Sequence, residues 1–149
     1  VIPSQKITIK NEQVLADLAA SIAKKLSPET VGATVIGLAG PLGAGKTTFT
    51  QKLLAAYGVE GPVTSPTYTI ETVYKLPAGP FARCYHLDAY RLEGEEDLEA
   101  LDFTDRLADP ENLIIIEWAD RVKAALPSDA IYISIGICGK ETREISIRL

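Results

Sequence analysis

The run Gly40-Pro41-Leu42-Gly43-Ala44-Gly45-Lys46-Thr47 fits G-x-x-x-x-G-K-[ST] at every fixed position, and each fixed residue type has a physical task. Glycines reach backbone conformations closed to other residues, so that successive N–H groups can turn inward toward phosphate oxygens. Lys46 supplies a point charge for the β- and γ-phosphates, and Thr47 a hydroxyl for Mg²⁺. The loop runs into a predicted helix, whose N-terminus favours an anion. At ordinary residue frequencies a chance match in a chain of this length has a probability of roughly half a percent. The expected contacts to the nucleotide come from Leu42, Gly43, Ala44, Gly45, Lys46, Thr47 and Thr48.

A phosphate loop of this kind needs a second magnesium ligand, an acid at the end of a neighbouring apolar strand. Leu113-Ile114-Ile115-Ile116-Glu117 has that pattern, which makes Thr47 and Glu117 the predicted metal pair. The alternative for Glu117 is a plain surface acid at a strand end. Asp88 is the other candidate acid, in His86-Leu87-Asp88-Ala89-Tyr90-Arg91. It can hold a metal-bound water or orient the attacking water, or else pair structurally with Arg91. His86 and Asp88 share one strand face by period-two alternation. Thr64-Ser65-Pro66-Thr67 offers hydroxyls of the sort that switch segments use to sense a γ-phosphate, with a plain proline turn as the alternative.

These groups need a scaffold. Ile7 to Ile9 predicts a short strand, and Asn11 a cap for a helix with Val14, Leu15, Leu18, Ile22 and Leu26 on its apolar face. Ala33 to Leu38 predicts the strand before the loop, and Gly45 to Tyr57 the helix after it, stopped by Gly58. Thr67 to Lys75 and Phe81 to Asp88 read as a hairpin around Pro77-Ala78-Gly79-Pro80. Glu95 to Leu107 reads as one acidic helix, Asn112 to Ile116 as a strand buried on both faces, and Ala119 to Leu126 as a short helix. Ile131 to Cys138 and Arg143 to Leu149 close the chain as a hairpin around Gly139-Lys140. The expected fold is α/β, P-loop NTPase-like and three-layered, with a mixed, partly parallel central sheet in one domain spanning residues 1–149.

Bulk properties narrow the function classes. A net charge of −5, from 20 acidic against 15 basic residues, argues against direct gripping of a nucleic-acid backbone. It leaves room for a nucleic-acid pathway in which a partner holds the RNA. The acidic stretch from Glu93 to Asp102 reads as a solvated face or as a surface for a basic partner. No stretch approaches the ~20 apolar residues of a membrane span, and no signal-peptide pattern opens the chain. The chain begins at Val1 and has no Met, which predicts a trimmed or processed start. Cys84 and Cys138 both sit in apolar strand-like runs, predicting two reduced, buried thiols, with a disulfide or redox pair as the alternative. One His and no close cysteine pair argue against a thiolate metal site. A cytoplasmic setting is expected.

Taken together, these residues resemble the TsaE family, also known as YjeE, of bacterial ATPases in tRNA threonylcarbamoyladenosine synthesis. The resemblance rests on Leu42-Gly43-Ala44-Gly45-Lys46-Thr47-Thr48, Val63-Thr64-Ser65-Pro66-Thr67-Tyr68, His86-Leu87-Asp88-Ala89-Tyr90-Arg91-Leu92, and Ile116-Glu117-Trp118 with Asp120-Arg121. It spans the chain from about Ile7 to its end. The resemblance implies a mixed-sheet P-loop domain that binds ATP and Mg²⁺, hydrolyses ATP weakly alone, and works with the TsaB and TsaD proteins. tRNA would be met only through those partners, and no membrane is involved. It further implies that Lys46 contacts phosphate, that Thr47 and Glu117 hold Mg²⁺, that Asp88 is required, and that Ser65 and Thr67 belong to a switch-like loop. Trp118 would lie beside the nucleotide, and Asn11-Glu12 with the hairpin near Lys140 would flank the base. Pro41 departs from the acidic or amide residue common at that place in the family; its missing N–H lowers the local donor count by one.

Guanine-reading strings N-K-x-D and D-x-x-G are absent, so adenine is the expected base. Two other classes stay open on the residues alone: a small-molecule kinase, in which a hydroxyl acceptor replaces water, and a nucleotide-gated binding module with little turnover.

Overall fold

The computed structural model describes residues 5–29, 31–66 and 70–148. Among these, seven strands form one mixed sheet: β1 (Gln5–Ile9), β2 (Thr34–Ala39), β3 (Glu71–Lys75), β4 (Arg83–Asp88), β5 (Asn112–Glu117), β6 (Ile131–Ile137) and β7 (Arg143–Arg148). Their order across the sheet is β1-β7-β6-β2-β5-β4-β3. The central four, β6, β2, β5 and β4, are mutually parallel. The two hairpins add antiparallel neighbours at each side, and β1 closes one edge against β7. The expected mixed α/β architecture is therefore present.

Helices cover both faces, and the apolar pattern explains why. Helix α1 (Glu12–Lys25) starts where the Asn11 side chain accepts the Val14 amide at 3.0 Å, with Glu12 in its first turn and Lys24 and Lys25 in its last, each sign matched to the helix dipole. Its Leu15, Ala19 and Ile22 join Phe49, Leu53 and Leu54 of α2 (Lys46–Ala56) in a core against Ile36, Leu38, Ile115 and Ile133 of the sheet. The buried Tyr57 hydroxyl ties the end of α2 to α1 by donating to the Ala23 carbonyl at 2.8 Å, and burial pushes its pKa up to about 12. On the other face, Val35, Ile114 and Ile116 pack against Leu98, Phe103 and Val122. Strands β2 and β5 thus meet helices on both sides, which is why their sequences are apolar runs rather than alternating ones.

Two helix expectations need adjustment. The predicted helix from Glu95 to Leu107 is two short ones, α3 (Glu95–Glu99) and α4 (Phe103–Leu107), broken at Asp102 with φ 56°. Leu98 and Phe103 are both buried, yet five residues along a continuous α-helix would set them about 140° apart; the break puts both into one core. The short helix after Glu117 is a 3₁₀ segment, Ala119–Ala125, kinked at Val122. The predicted strand start at Thr67 lies outside the described residues, whereas Ile70, at φ 66°, stands before the strand, and β3 begins at Glu71.

Both cysteines are free thiols, but only Cys84 is buried; Cys138 is exposed, against expectation. The alternation in β6 carries it past the end of the core, where Ile137 is already half exposed. Burial pushes the Cys84 thiol far above its ordinary 9.0. In the folded protein a thiol reagent such as dithionitrobenzoate should therefore label Cys138 quickly and Cys84 only on unfolding. Two equally fast thiols under native conditions would contradict this packing.

Candidate functional site

The site lies at the carboxyl ends of the parallel strands, where β2 gives way to the loop. Gly40 leaves the strand with φ 147°, and a Cβ there would sit 2.3 Å from the Ile135 carbonyl oxygen, so only glycine lets the loop pass β6. Gly45, at φ 115°, turns the loop into α2, and its carbonyl accepts the Phe49 amide at 2.8 Å. Between them the Ala44 amide donates to the Pro41 carbonyl at 3.1 Å. Pro41 lacks a donor but contributes to the loop's closure as an acceptor.

Lys46 is only 5% exposed. Its ammonium donates to the Gly40 carbonyl at 2.7 Å and the Pro41 carbonyl at 3.1 Å, and lies 4.2 Å from the centre of the Trp118 ring. Burial lowers its basicity from the ordinary 10.5, while Glu117, Asp88 and Asp120 pull it back up. Trp118 itself adopts φ 58°, a left-handed conformation that a bulky residue takes only when its surroundings enforce it. Tyr90 packs beside it with centroids 5.0 Å apart and the ring planes tilted by 52°, and the Arg121 guanidinium lies over Tyr90 in turn.

Strand register brings in the acids. In the parallel ladder Asp88 of β4 stands level with Glu117 of β5, and Glu117 level with Leu38 of β2, just before the loop. The Thr47 hydroxyl, on the first turn of α2, lies 3.0 and 3.2 Å from the two Glu117 carboxylate oxygens. His86 approaches the same carboxylate through Nε2 at 2.6 Å, wholly buried. Its Nδ1 has no hydrogen-bond partner among the described residues. The tautomer with the proton on Nε2 fits both facts, because an unpaired acceptor is tolerated better than an unpaired N–H. Asp88 accepts the Tyr90 amide at 2.9 Å and the Ser65 hydroxyl at 3.4 Å.

Leu42, Gly43, Gly45, Lys46, Thr47, Thr48, Ser65, Asp88, Glu117 and Trp118 line one cleft of about 310 Å³. The sequence-predicted residues therefore converge, with two qualifications. Ala44 does not line the cleft, because its methyl is buried in the core beneath. Thr67 lies outside the described residues. Asn11 and Glu12 flank a neighbouring hollow of about 120 Å³ with Gly45, Thr48 and Arg143; on the hairpin side it is Glu141, not Lys140, that lines it.

The donor set suits the group that the motif implies. A threonine hydroxyl and one carboxylate are hard oxygen ligands, and they leave most of an octahedral shell to phosphate oxygens and water. Two features of the site are not foreseen from sequence. Strand alternation groups His86 with Asp88, whereas its hydrogen bond runs to Glu117, a neighbour visible only once strand order is known. Arg143 also reaches the loop.

Comparison with known proteins accords with this geometry. The family profile described as "Threonylcarbamoyl adenosine biosynthesis protein TsaE" matches residues 9–145. The tRNA threonylcarbamoyladenosine biosynthesis protein TsaE of Haemophilus influenzae is 39% identical over 116 residues, covering 78% of this chain and 70% of that one. Its counterpart from Bacillus subtilis is 35% identical, covering 85% and 76%, and that from Rickettsia typhi is 31% identical, covering 95% and 92%. The crystal structure of YdiB from Bacillus subtilis superposes with a TM-score of 0.75 at 27% identity, over 99% of this chain and 86% of that one. The match runs from β1 to β7 and takes in the loop, both acids and the ladder that aligns them, so the chain belongs to the TsaE family.

Proposed function

We propose that this chain is a Mg²⁺-dependent ATPase that serves threonylcarbamoyladenosine modification of tRNA, with residues 1–149 forming a single nucleotide-binding domain. The observation that carries the chemistry is the junction of the Thr47 hydroxyl with the Glu117 carboxylate at 3.0 Å beside the mouth of the glycine-rich loop. The pathway follows from the names that the relatives carry.

In this reading the loop amides and the Lys46 ammonium hold the β- and γ-phosphates of ATP. Thr47 and Glu117 hold Mg²⁺, which would neutralise charge on the transferring group. His86 fixes the Glu117 carboxylate from behind. Asp88, held by the Tyr90 amide and Ser65, orients the attacking water. Trp118 covers the phosphate side of the cleft, where its ring already packs against Lys46. The partners are the TsaB and TsaD proteins, and tRNA is met through them.

Phosphate release measured with and without TsaB, TsaD and tRNA tests the proposal. Slow release by the chain alone, with a rate altered by the partners, is the expected result. Absence of both ATP binding and phosphate release in every combination would overturn it. Transfer of phosphate to a metabolite in place of water would select a kinase instead.

A further inference from the structure

Arg143 opens the last strand, 99 positions from Ala44, yet all three nitrogens of its guanidinium reach backbone carbonyls rather than an acid. Nε donates to the Ala44 carbonyl at 3.0 Å, and one terminal nitrogen to the Gly43 carbonyl at 3.4 Å. The other terminal nitrogen donates to the Gly139 and Thr142 carbonyls, both at 3.1 Å. One rigid, planar fork thus joins the outer limb of the phosphate loop to the turn of the β6–β7 hairpin.

We infer that Arg143 is a positioning residue for the phosphate loop, aiming the loop's amides by holding its carbonyls from outside. The inference rests on the proposed nucleotide reading. Its physical basis is the planarity of the peptide group: in a trans peptide the carbonyl and the next N–H point in opposite directions. Drawing the Ala44 oxygen toward Arg143 turns the Gly45 N–H away from it. The Gly43 oxygen and the Ala44 N–H are related in the same way, and that N–H already points across the loop to the Pro41 carbonyl. A loop rich in glycine has little side-chain packing to set these planes, so an external clamp matters more there than in a helix or strand. The base of the loop is fixed separately, where Gly40 passes against the Ile135 carbonyl of β6. The C-terminal hairpin therefore lies against the loop at its base and is bonded to it at Gly43 and Ala44.

Three other roles for Arg143 make different predictions. If it acted by charge alone, attracting the triphosphate at a distance, Arg143→Lys would preserve binding. If it acted on the base, next to the hollow shared with Asn11 and Glu12, ATP would suffer and inorganic tripolyphosphate would not. If it merely anchored the hairpin, melting temperature would fall and affinity would hold.

The test measures, by calorimetry on the full chain, the affinities of ATP and of tripolyphosphate for the wild type, Arg143→Lys and Arg143→Gln, alongside the melting temperature of each. The expected result is a loss of about tenfold or more for both ligands in both variants, the scale set by losing a charge-assisted hydrogen bond. Wild-type affinity in either variant, or a loss confined to ATP, overturns the inference. Wild-type protein provides a check that needs no substitution: the Arg143 Nε–H resonance should shift when tripolyphosphate is added, and an unmoved signal in a saturated sample also overturns it. A wild type that binds neither ligand would instead sink the nucleotide reading itself.

Discussion

Lys46→Ala is expected to weaken ATP binding by about 10²-fold or more while leaving the fold in place. The ammonium is the one cation among the described residues lining the cleft, and it is held at the loop by the Gly40 and Pro41 carbonyls and the Trp118 ring. Hydrogen bonds to a charged group contribute roughly 1.5–3 kcal/mol each, and two of them lost to phosphate would weaken binding by about 10²-fold or more. The fold should tolerate the change, since Pro41 is at the surface and water can replace the ammonium at its carbonyl. Calorimetric titration with ATP, paired with a thermal melt, checks both halves; unchanged affinity would remove Lys46 from the site. A pH series on the wild type adds a directional test. Burial lowers Lys46 from 10.5, and the neutral amine attracts phosphate less. Affinity should therefore begin to fall, as pH rises, below the usual lysine range.

How far sequence reaches can be judged from particular residues. The phosphate loop is legible because its fixed positions answer to backbone geometry that any chain must obey: Gly40 and Gly45 stand where a side chain would clash or strain. Glu117 is legible because a strand buried between two helical layers has few reasons to end in an acid, and it ends beside Thr47. The His86–Glu117 bond is not legible in the same way. Period-two alternation gives the face on which His86 lies, but its neighbour depends on β4 pairing with β5 rather than with another strand. Arg143 is harder still, because a guanidinium bound to carbonyls leaves no complementary residue type to search for. The break at Asp102 is hidden because the residues on both sides do form helical turns, and the shared burial of Leu98 and Phe103 that goes with the interruption appears only in the fold. Cys138 shows the reverse case: a run of strand-forming residues outlasts the core that would have buried it.

Glu117→Gln is expected to separate nucleotide binding from magnesium-dependent turnover. The carboxylate is 3% exposed, lies within 3.2 Å of the Thr47 hydroxyl through both oxygens, and meets His86 Nε2 at 2.6 Å. Glutamine keeps the shape and one acceptor oxygen, so His86 and Thr47 retain a partner and the fold should hold. It removes the negative charge that makes a carboxylate a stronger ligand for a hard divalent cation than a neutral amide oxygen. ATP affinity in EDTA should stay near the wild-type value. The tightening by Mg²⁺ should disappear, and phosphate release should fall by roughly 10²–10³-fold, the scale for deleting one preorganised electrostatic element from a transition state. Glu117→Ala goes further, because Nδ1 of His86 is already without a partner among the described residues and Nε2 would lose its own inside the core. Stranding that group costs about 1–3 kcal/mol, visible as a lower melting temperature that the glutamine variant does not share. Phosphate release across a magnesium titration is the deciding measurement. If Glu117→Gln followed the wild-type curve, the cation would have to be held by another oxygen in the cleft, with Asp88, level with Glu117 in the ladder, the next to test.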